Sequence, residues 1–144
     1  MDIYFTVPGT PVGKGRPKFS RRGNFTTTYT PEKTVNFENL VKLSFAQAGC
    51  EKLRGPLSAH ITACFPIPKS VSKKMHRQMA DGYALHTKRP DADNIAKSVL
   101  DALNDVAFDD DSQVAALSVV KRFSETPQTM VYIHELRKED GDAD

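Results

Sequence analysis

The 144-residue sequence predicts one α+β domain, a mixed β-sheet of about four strands with helices packed on it. Three observations carry this expectation. Hydrophobic patterning runs in the order β-α-β-α-α-β-β. The length suits one hydrophobic core that needs no metal or disulfide staple. No internal repeat or linker divides the chain.

The elements follow in order. Ile3 to Val7 is rich in β-branched and aromatic residues and stops at Pro8-Gly9, which reads as a strand. Residues 9–31 read as a loop. Pro31 at a first helical position and Glu32 in the first turn announce a helix, in which Val35, Phe37, Leu40, Val41, Leu43, Phe45 and Ala48 run to about Gly49. Leu57 to Phe65 alternates small polar and apolar residues, a second strand halted by Pro66 and Pro68. Ser70 is placed to cap a short basic helix that ends at Gly82. Tyr83 to Arg89 is an extended lead-in to Pro90. Asp93 to about Val106 is a helix with Ile95, Val99, Leu103 and Val106 on its apolar face. Gln113–Phe123 and Thr129–Leu136 are two further strands. Residues 1–138 make up the domain, and 139–144 are expected to form an acidic, disordered tail.

At 39% hydrophobic and 26% charged, with no apolar run near the roughly 20 residues of a membrane span, the chain reads as globular. Met1, Asp2, Ile3 and Tyr4 lack the basic flank and apolar run of a signal peptide, so a cytoplasmic location is expected. Cys50 and Cys64 show no metal-ligand spacing and are expected to be free thiols. The four histidines show no zinc spacing either, and no serine or cysteine nucleophile motif occurs.

A net charge of +2 hides an asymmetry. Residues 1–90 carry 15 Lys and Arg against 5 Asp and Glu, a net of +10. Residues 91–144 carry 5 against 13, a net of −8. A basic part beside a concentrated acidic cluster suggests a polyanion-binding surface next to a site that holds cations. The basic candidates for contact with a phosphate backbone are Lys14, Arg16, Lys18, Arg21 and Arg22 in the 9–31 loop, then Lys69, Lys73, Lys74, Arg77, Lys88 and Arg89. Phe19, Phe25 and Tyr29 lie in or beside the first group and could stack on exposed bases.

The acidic cluster holds the chemistry. Pro90 imposes an extended residue before it, Asp93 falls where a helix N-cap belongs, and Asp91 can point the same way. Asp93, Lys97 and Asp101 are spaced i, i+4, i+8 and share one helix face. Asp109–Asp111 opens the next strand, and a helix packed on that strand could return Asp111 toward Asp91 and Asp93. Grouped carboxylates raise one another's pKa, and a divalent cation removes that conflict. Oxygen ligands favour Mg²⁺ or Mn²⁺ over zinc. An EF-hand is excluded, because Ile95 stands at the next alternate position with no loop glycine or closing Glu. Such a site supports phosphoryl transfer, and Lys97 could stabilise the transition-state charge.

Asp91, Asp93, Asn94 and Lys97, then Asp101-Ala102-Leu103, then Asp110-Asp111-Ser112-Gln113-Val114 together resemble the signature of the RusA family of Holliday junction resolvases. Gly13-Lys14-Gly15-Arg16-Pro17 resembles the version often encoded by phages and prophages. The resemblance implies a RusA-like fold and a homodimeric, Mg²⁺-dependent endonuclease, with Mn²⁺ able to substitute. Such an enzyme nicks opposed strands of a four-way junction in recombination and repair. It also implies catalytic roles for Asp91, Asp93, Asp111 and Lys97, the three aspartates as metal ligands. The stretch between Asp101 and Asp111 is one residue shorter than in the best-known member, and anchoring on Gln113-Val114 puts the third aspartate at Asp111. Two alternatives stand beside it: a flap or fork nuclease of broader specificity, which would carry the same motifs, and a non-catalytic junction-binding protein, which would retain the basic loop but lose one acidic ligand, whereas here all three aspartates and the lysine are present.

Overall fold

The computed structural model describes residues 1–16 and 18–136, with some side chains between residues 18 and 29 left out. The expected tail at 139–144 lies outside the described residues.

β1 (Asp2–Pro8) alternates as read, with Ile3, Phe5 and Val7 buried and Asp2, Tyr4 and Thr6 exposed. Its terminal proline fits an edge strand, where one side of the backbone needs no ladder partner. The main sheet has the order β1-β6-β4-β5. β6 (Gln128–Glu135) lies antiparallel to both β1 and β4 (Leu57–Pro66), with Ile3 opposite Ile133 and Ile61 opposite Val131. β5 (Val114–Ser124) lies parallel to β4, so the sheet is mixed. Parallel pairing demands a crossover, and the segment between β4 and β5 supplies it with α2 (Lys73–Ala80) and α3 (Ala92–Leu103).

α1 (Glu32–Gln47) and α3 pack together against the sheet. α1 buries Phe37, Val41 and Phe45, and Phe45 meets Phe5 edge-on at 5.9 Å. α3 buries Ile95, Val99 and Leu103, the expected stripe, with Ala96, Leu100 and Ala102 beside it. Full burial of a Leu, Ile or Val side chain is worth about 1.5–3 kcal/mol, so this stripe fixes which face of α3 turns outward. The opposite face of the sheet carries Asp2, His60, Ser118, Tyr132 and His134, and the end of α2 approaches it at Arg122.

Four boundaries differ from expectation. The 9–31 segment is not all loop: β2 (Lys18–Arg22) and β3 (Phe25–Tyr29) form an antiparallel hairpin. Its turn is Gly23-Asn24, and Gly23 takes φ +58°, which glycine tolerates without strain. The cap of α2 is Ser72, which accepts from the Met75 N–H at 3.1 Å, and not Ser70. Asp91, extended at ψ 153°, is the N-cap of α3, and Asp93 sits inside the first turn. α3 ends at Leu103 because Asn104 turns extended and Asp105 takes φ +63°. Cys50 and Cys64 are free. Among the described residues no helix is long and apolar enough to cross a membrane.

Candidate metal and nucleic-acid site

The start of α3 is held from two sides. From β5, the Lys121 ammonium donates to the carbonyls of Lys88 at 2.6 Å and Pro90 at 2.8 Å. From the N-terminal part, the Lys14 N–H donates to Asn94 O at 2.9 Å, and the Ser98 hydroxyl donates to Val12 O at 2.7 Å. Close approach needs glycine here. A Cβ on Gly13 would lie 2.7 Å from Pro90 Cβ, and one on Gly15 would lie 2.8 Å from Pro31 Cγ. The resulting strap walls a cavity of about 750 Å³, open to Gly13, Arg16, Lys33, Arg89, Asp91 and Asn94.

Lys14 does not face that opening as a free cation. Its ammonium bridges Glu38 on α1 at 3.1 Å and Asp101 on α3 at 3.2 Å. Burial works against its charge, but the hydrogen bonds and charges of Glu38 and Asp101 outweigh burial and raise its pKa above the ordinary lysine value. The expectation of a phosphate contact at Lys14 therefore meets an internal ion pair. Reading the segment as a loop counts its charge without its partners.

Asp91 and Asp93 are exposed, and neither carboxylate has a hydrogen-bond or ion-pair partner among the described residues. Lys97, one turn on, is exposed and equally unpaired among them. Two carboxylates at one helix start suit a hard cation.

Asp111 is elsewhere. Its N–H donates to Asn104 Oδ1 at 3.0 Å, which ties it to the C-terminal end of α3. α3 rises about 18 Å over its 12 residues. In one chain Asp111 thus lies at the opposite end of the helix from Asp91, and the expected return of Asp111 does not occur. Among the described residues no three His, Cys, Asp or Glu are grouped to hold a metal.

The three consecutive aspartates have three different fates. Asp109 pairs with Lys52 at 2.6 Å, and that hydrogen bond depresses its pKa. Asp110 caps the single turn of 3-10 helix Asp111–Gln113: its carboxylate accepts from the Ser112 N–H at 3.2 Å, and hydrogen bonding from the Ser112 side chain, then from its backbone, lowers the Asp110 pKa. Gln113 completes the turn by accepting from the N–H groups of Asp109 and Asp110. The Asp111 side chain alone is exposed with no partner among the described residues.

Residues 8–134 match the family described as Endodeoxyribonuclease RusA. The chain belongs to the RusA family. A relative from Bacillus subtilis (strain 168), named only as uncharacterized protein YqaN, is 41% identical over 137 residues, covering 93% of this chain and 96% of the relative.

Membership makes this RusA-family chain a nuclease of the type that acts on branched DNA. Its basic candidates fall in two groups, one at or before the start of α3 and in the N-terminal part, the other on and before α2. Arg16 and Arg89 border the cavity, Lys88 precedes Arg89, and Arg21 is exposed on β2. Lys69, Lys73, Lys74 and Arg77 are exposed on and before α2. The side chains of Lys18, Arg22, Phe19, Phe25 and Tyr29 lie outside the described residues. Sequence reasoning misses Lys121, yet the residue leaves a signal. It breaks the inward register of β5, where Leu117, Val119 and Phe123 are its same-face neighbours.

Proposed function

We propose that this chain is a metal-dependent endonuclease that cuts four-way DNA junctions as a cytoplasmic homodimer. Each site combines Asp91 and Asp93 of one protomer with Asp111 of the other. The observation that carries the reading is the separation of two sets of unpaired carboxylates to opposite ends of α3.

β5 is an edge strand that exposes Leu117 and Val120 at 48% and 45%. Edges of this kind invite strand pairing. Two copies of β5 paired antiparallel about a two-fold axis would bring the start of one strand to the end of the other. The start carries Asp111. The end carries Lys121, which holds Pro90 beside Asp91. The pairing would thus join the sets that one chain keeps apart. Two-fold closure is the commonest oligomer and matches a substrate needing two opposed cuts.

Three carboxylates form an all-oxygen ligand set that suits Mg²⁺, with Mn²⁺ able to substitute. A divalent cation held there would polarise the scissile phosphate and acidify water at neutral pH. Lys97, on the outward face one turn beyond Asp93, would stabilise charge on the phosphate oxygens as the P–O bond breaks. Arg16 and Arg89 would hold the flanking phosphates. The test is incubation of a mobile four-way junction with the protein and Mg²⁺, beside a linear duplex and a flap of the same sequence. Paired symmetric nicks in the junction alone are expected. Equal cutting of the flap would favour the broader nuclease, and tight binding without any cut would favour the non-catalytic reading.

A further inference from the structure

α2 is an eight-residue helix with no buried residue. Its sequence spends no side chain on the core, so its place in the fold needs another reason. Lys73, Lys74 and Arg77 stand on it without an ion-pair partner among the described residues, while His76 lies 3.4 Å from Glu125 in an adjoining hollow that Lys73 and Arg77 also border. After the helix the chain turns through Gly82 at φ +85° and presents Tyr83, 85% exposed. That is well above Tyr4 at 56% and Tyr132 at 36%. Neither the ring nor the hydroxyl of Tyr83 has a partner among the described residues.

The support beneath this tyrosine is firm. Gln78 O accepts from the N–H groups of both Tyr83, at 2.9 Å, and Ala84, at 3.1 Å. Arg122 of β5 donates to Ala80 O at 3.4 Å, and a Cβ on Gly82 would lie 3.2 Å from the same guanidinium. The segment then joins β5 again where the His86 N–H donates to Lys121 O at 3.2 Å, and Lys121 holds Pro90 next to Asp91. The backbone at Tyr83 is therefore tied to the strand that carries the start of α3, and its ring stands out into solvent. Beside it lies a groove of about 470 Å³ lined by Lys73, Lys74, Arg77, Gln78, Asp81 and Tyr83. Three cations against one carboxylate leave that lining positive.

We infer that α2 and Tyr83 form a base-stacking platform. The α2 cations grip the phosphates of one strand, and the Tyr83 ring stacks on a base left unpaired at the centre of a branched DNA. The inference rests on the endonuclease reading above and adds a residue that selects branched over linear DNA. The chemistry is that of single-strand binders, a positive groove that tracks the backbone with an aromatic ring on which a base lies. In a linear duplex every base is already stacked, so the ring offers nothing there. Its benefit is confined to a branch point.

The experiment uses the full chain and a four-way junction with 2-aminopurine at the branch nucleotides, beside a linear duplex of the same sequence. Binding is measured in EDTA and cutting in Mg²⁺. Wild type is expected to change the 2-aminopurine fluorescence on binding the junction. Tyr83→Ala should lose that change and about ten-fold in junction affinity, while duplex affinity stays the same. Tyr83→Phe should behave as wild type. The triple variant Lys73→Gln, Lys74→Gln, Arg77→Gln should weaken both DNAs and lower the log–log salt slope by about 2–3. Because the Tyr83 side chain is in solvent, unchanged circular dichroism should accompany every Tyr83 variant. A wild type that cuts the junction while Tyr83→Ala binds it with unchanged affinity and fluorescence overturns the platform alone. Equal loss of junction and duplex affinity in Tyr83→Ala also overturns it. A wild type that neither binds nor cuts the junction overturns both readings.

Discussion

Lys121 reaches across from β5 to donate to Pro90 O at 2.8 Å, one residue before the Asp91 cap of α3. The end of a strand and the start of a helix are thereby one rigid piece.

A shared site can be rebuilt from two dead chains. Asp93→Asn and Asp111→Asn proteins should each fail to cut a junction. A mixture should recover nicking, because one of the two sites in a mixed dimer keeps all three aspartates. Sedimentation equilibrium should give twice the chain mass. No recovery on mixing two well-folded variants that do form mixed dimers would show that each site lies within one chain.

Substitution along the acidic run should separate chemistry from structure. Asp91→Asn, Asp93→Asn and Asp111→Asn should abolish cutting while junction binding stays equal or tightens, since a charge that repels phosphate is gone. Asp110→Asn should be far milder in cutting, because Asp110 serves as a cap. Asp110→Ala should lower stability, as loss of a cap does. Paired gel-shift and cleavage assays, with urea melts, read both effects.

Lys97→Ala should lose most cleavage and keep its metal affinity, a loss of a few kcal/mol in transition-state stabilisation. Single-turnover cutting at saturating Mg²⁺ decides the role. Full rescue by added metal would make Lys97 an organiser of the ligands instead.

Lys14→Met should cost stability and not phosphate binding. Leaving Glu38 and Asp101 without their shared cation should cost about 1–3 kcal/mol, less than the roughly 3–5 kcal/mol of a fully buried pair because Lys14 is partly exposed. The salt slope of DNA binding should stay unchanged, whereas neutralising Arg16 and Arg21 should lower it by about 0.9 for each phosphate that no longer meets a cation. The lysine pKa is raised in the fold. Its contribution is thus complete below the unfolded pKa near 10.5 and fades as pH climbs through the higher folded value. Urea midpoints of wild type and variant should converge only in that alkaline range.

His86 predicts an acid-side effect. Its ring stacks on Phe65 at 3.7 Å, and its Nδ1 is buried without a partner among the described residues. Burial, with Lys121 and Lys88 nearby, holds its pKa below the usual 6.5. The unfolded chain therefore takes up the proton first, and stability falls as pH drops below about 6.5 toward the folded pKa. His86→Phe should keep the stack and remove the orphaned nitrogen, worth about 1 kcal/mol. Its melting temperature should vary less between pH 7 and pH 5 than that of wild type.

Most of the sheet and both long helices are legible in the sequence because their burial is periodic. Ile3, Phe5 and Val7 alternate, and Ile95, Val99 and Leu103 recur each helical turn. The hairpin at 18–29 is obscured by its basic residues, although Gly23-Asn24 between runs containing aromatics is the available cue. The ion pairs of Lys14 are hidden from the sequence because its partners are 24 and 87 residues away and no local pattern announces them. The distance of Asp111 from Asp91 is hidden when proximity is read without direction. Once β5 is known to run parallel to β4, the helix between them must run the other way, and the two strand-adjacent acids fall at opposite ends. The pairing of β4 with β5 is a long-range fact that the motif itself does not contain.

The length of α3 then carries a consequence for when the protein can act. Three turns of helix keep the third carboxylate out of reach of the other two, so a lone chain on the two-protomer reading is inert. Cutting would rise with the square of concentration under dilute conditions and stop when the pair dissociates. A nuclease made this way is switched off by scarcity, and a stray monomer on a chromosome leaves no nick behind.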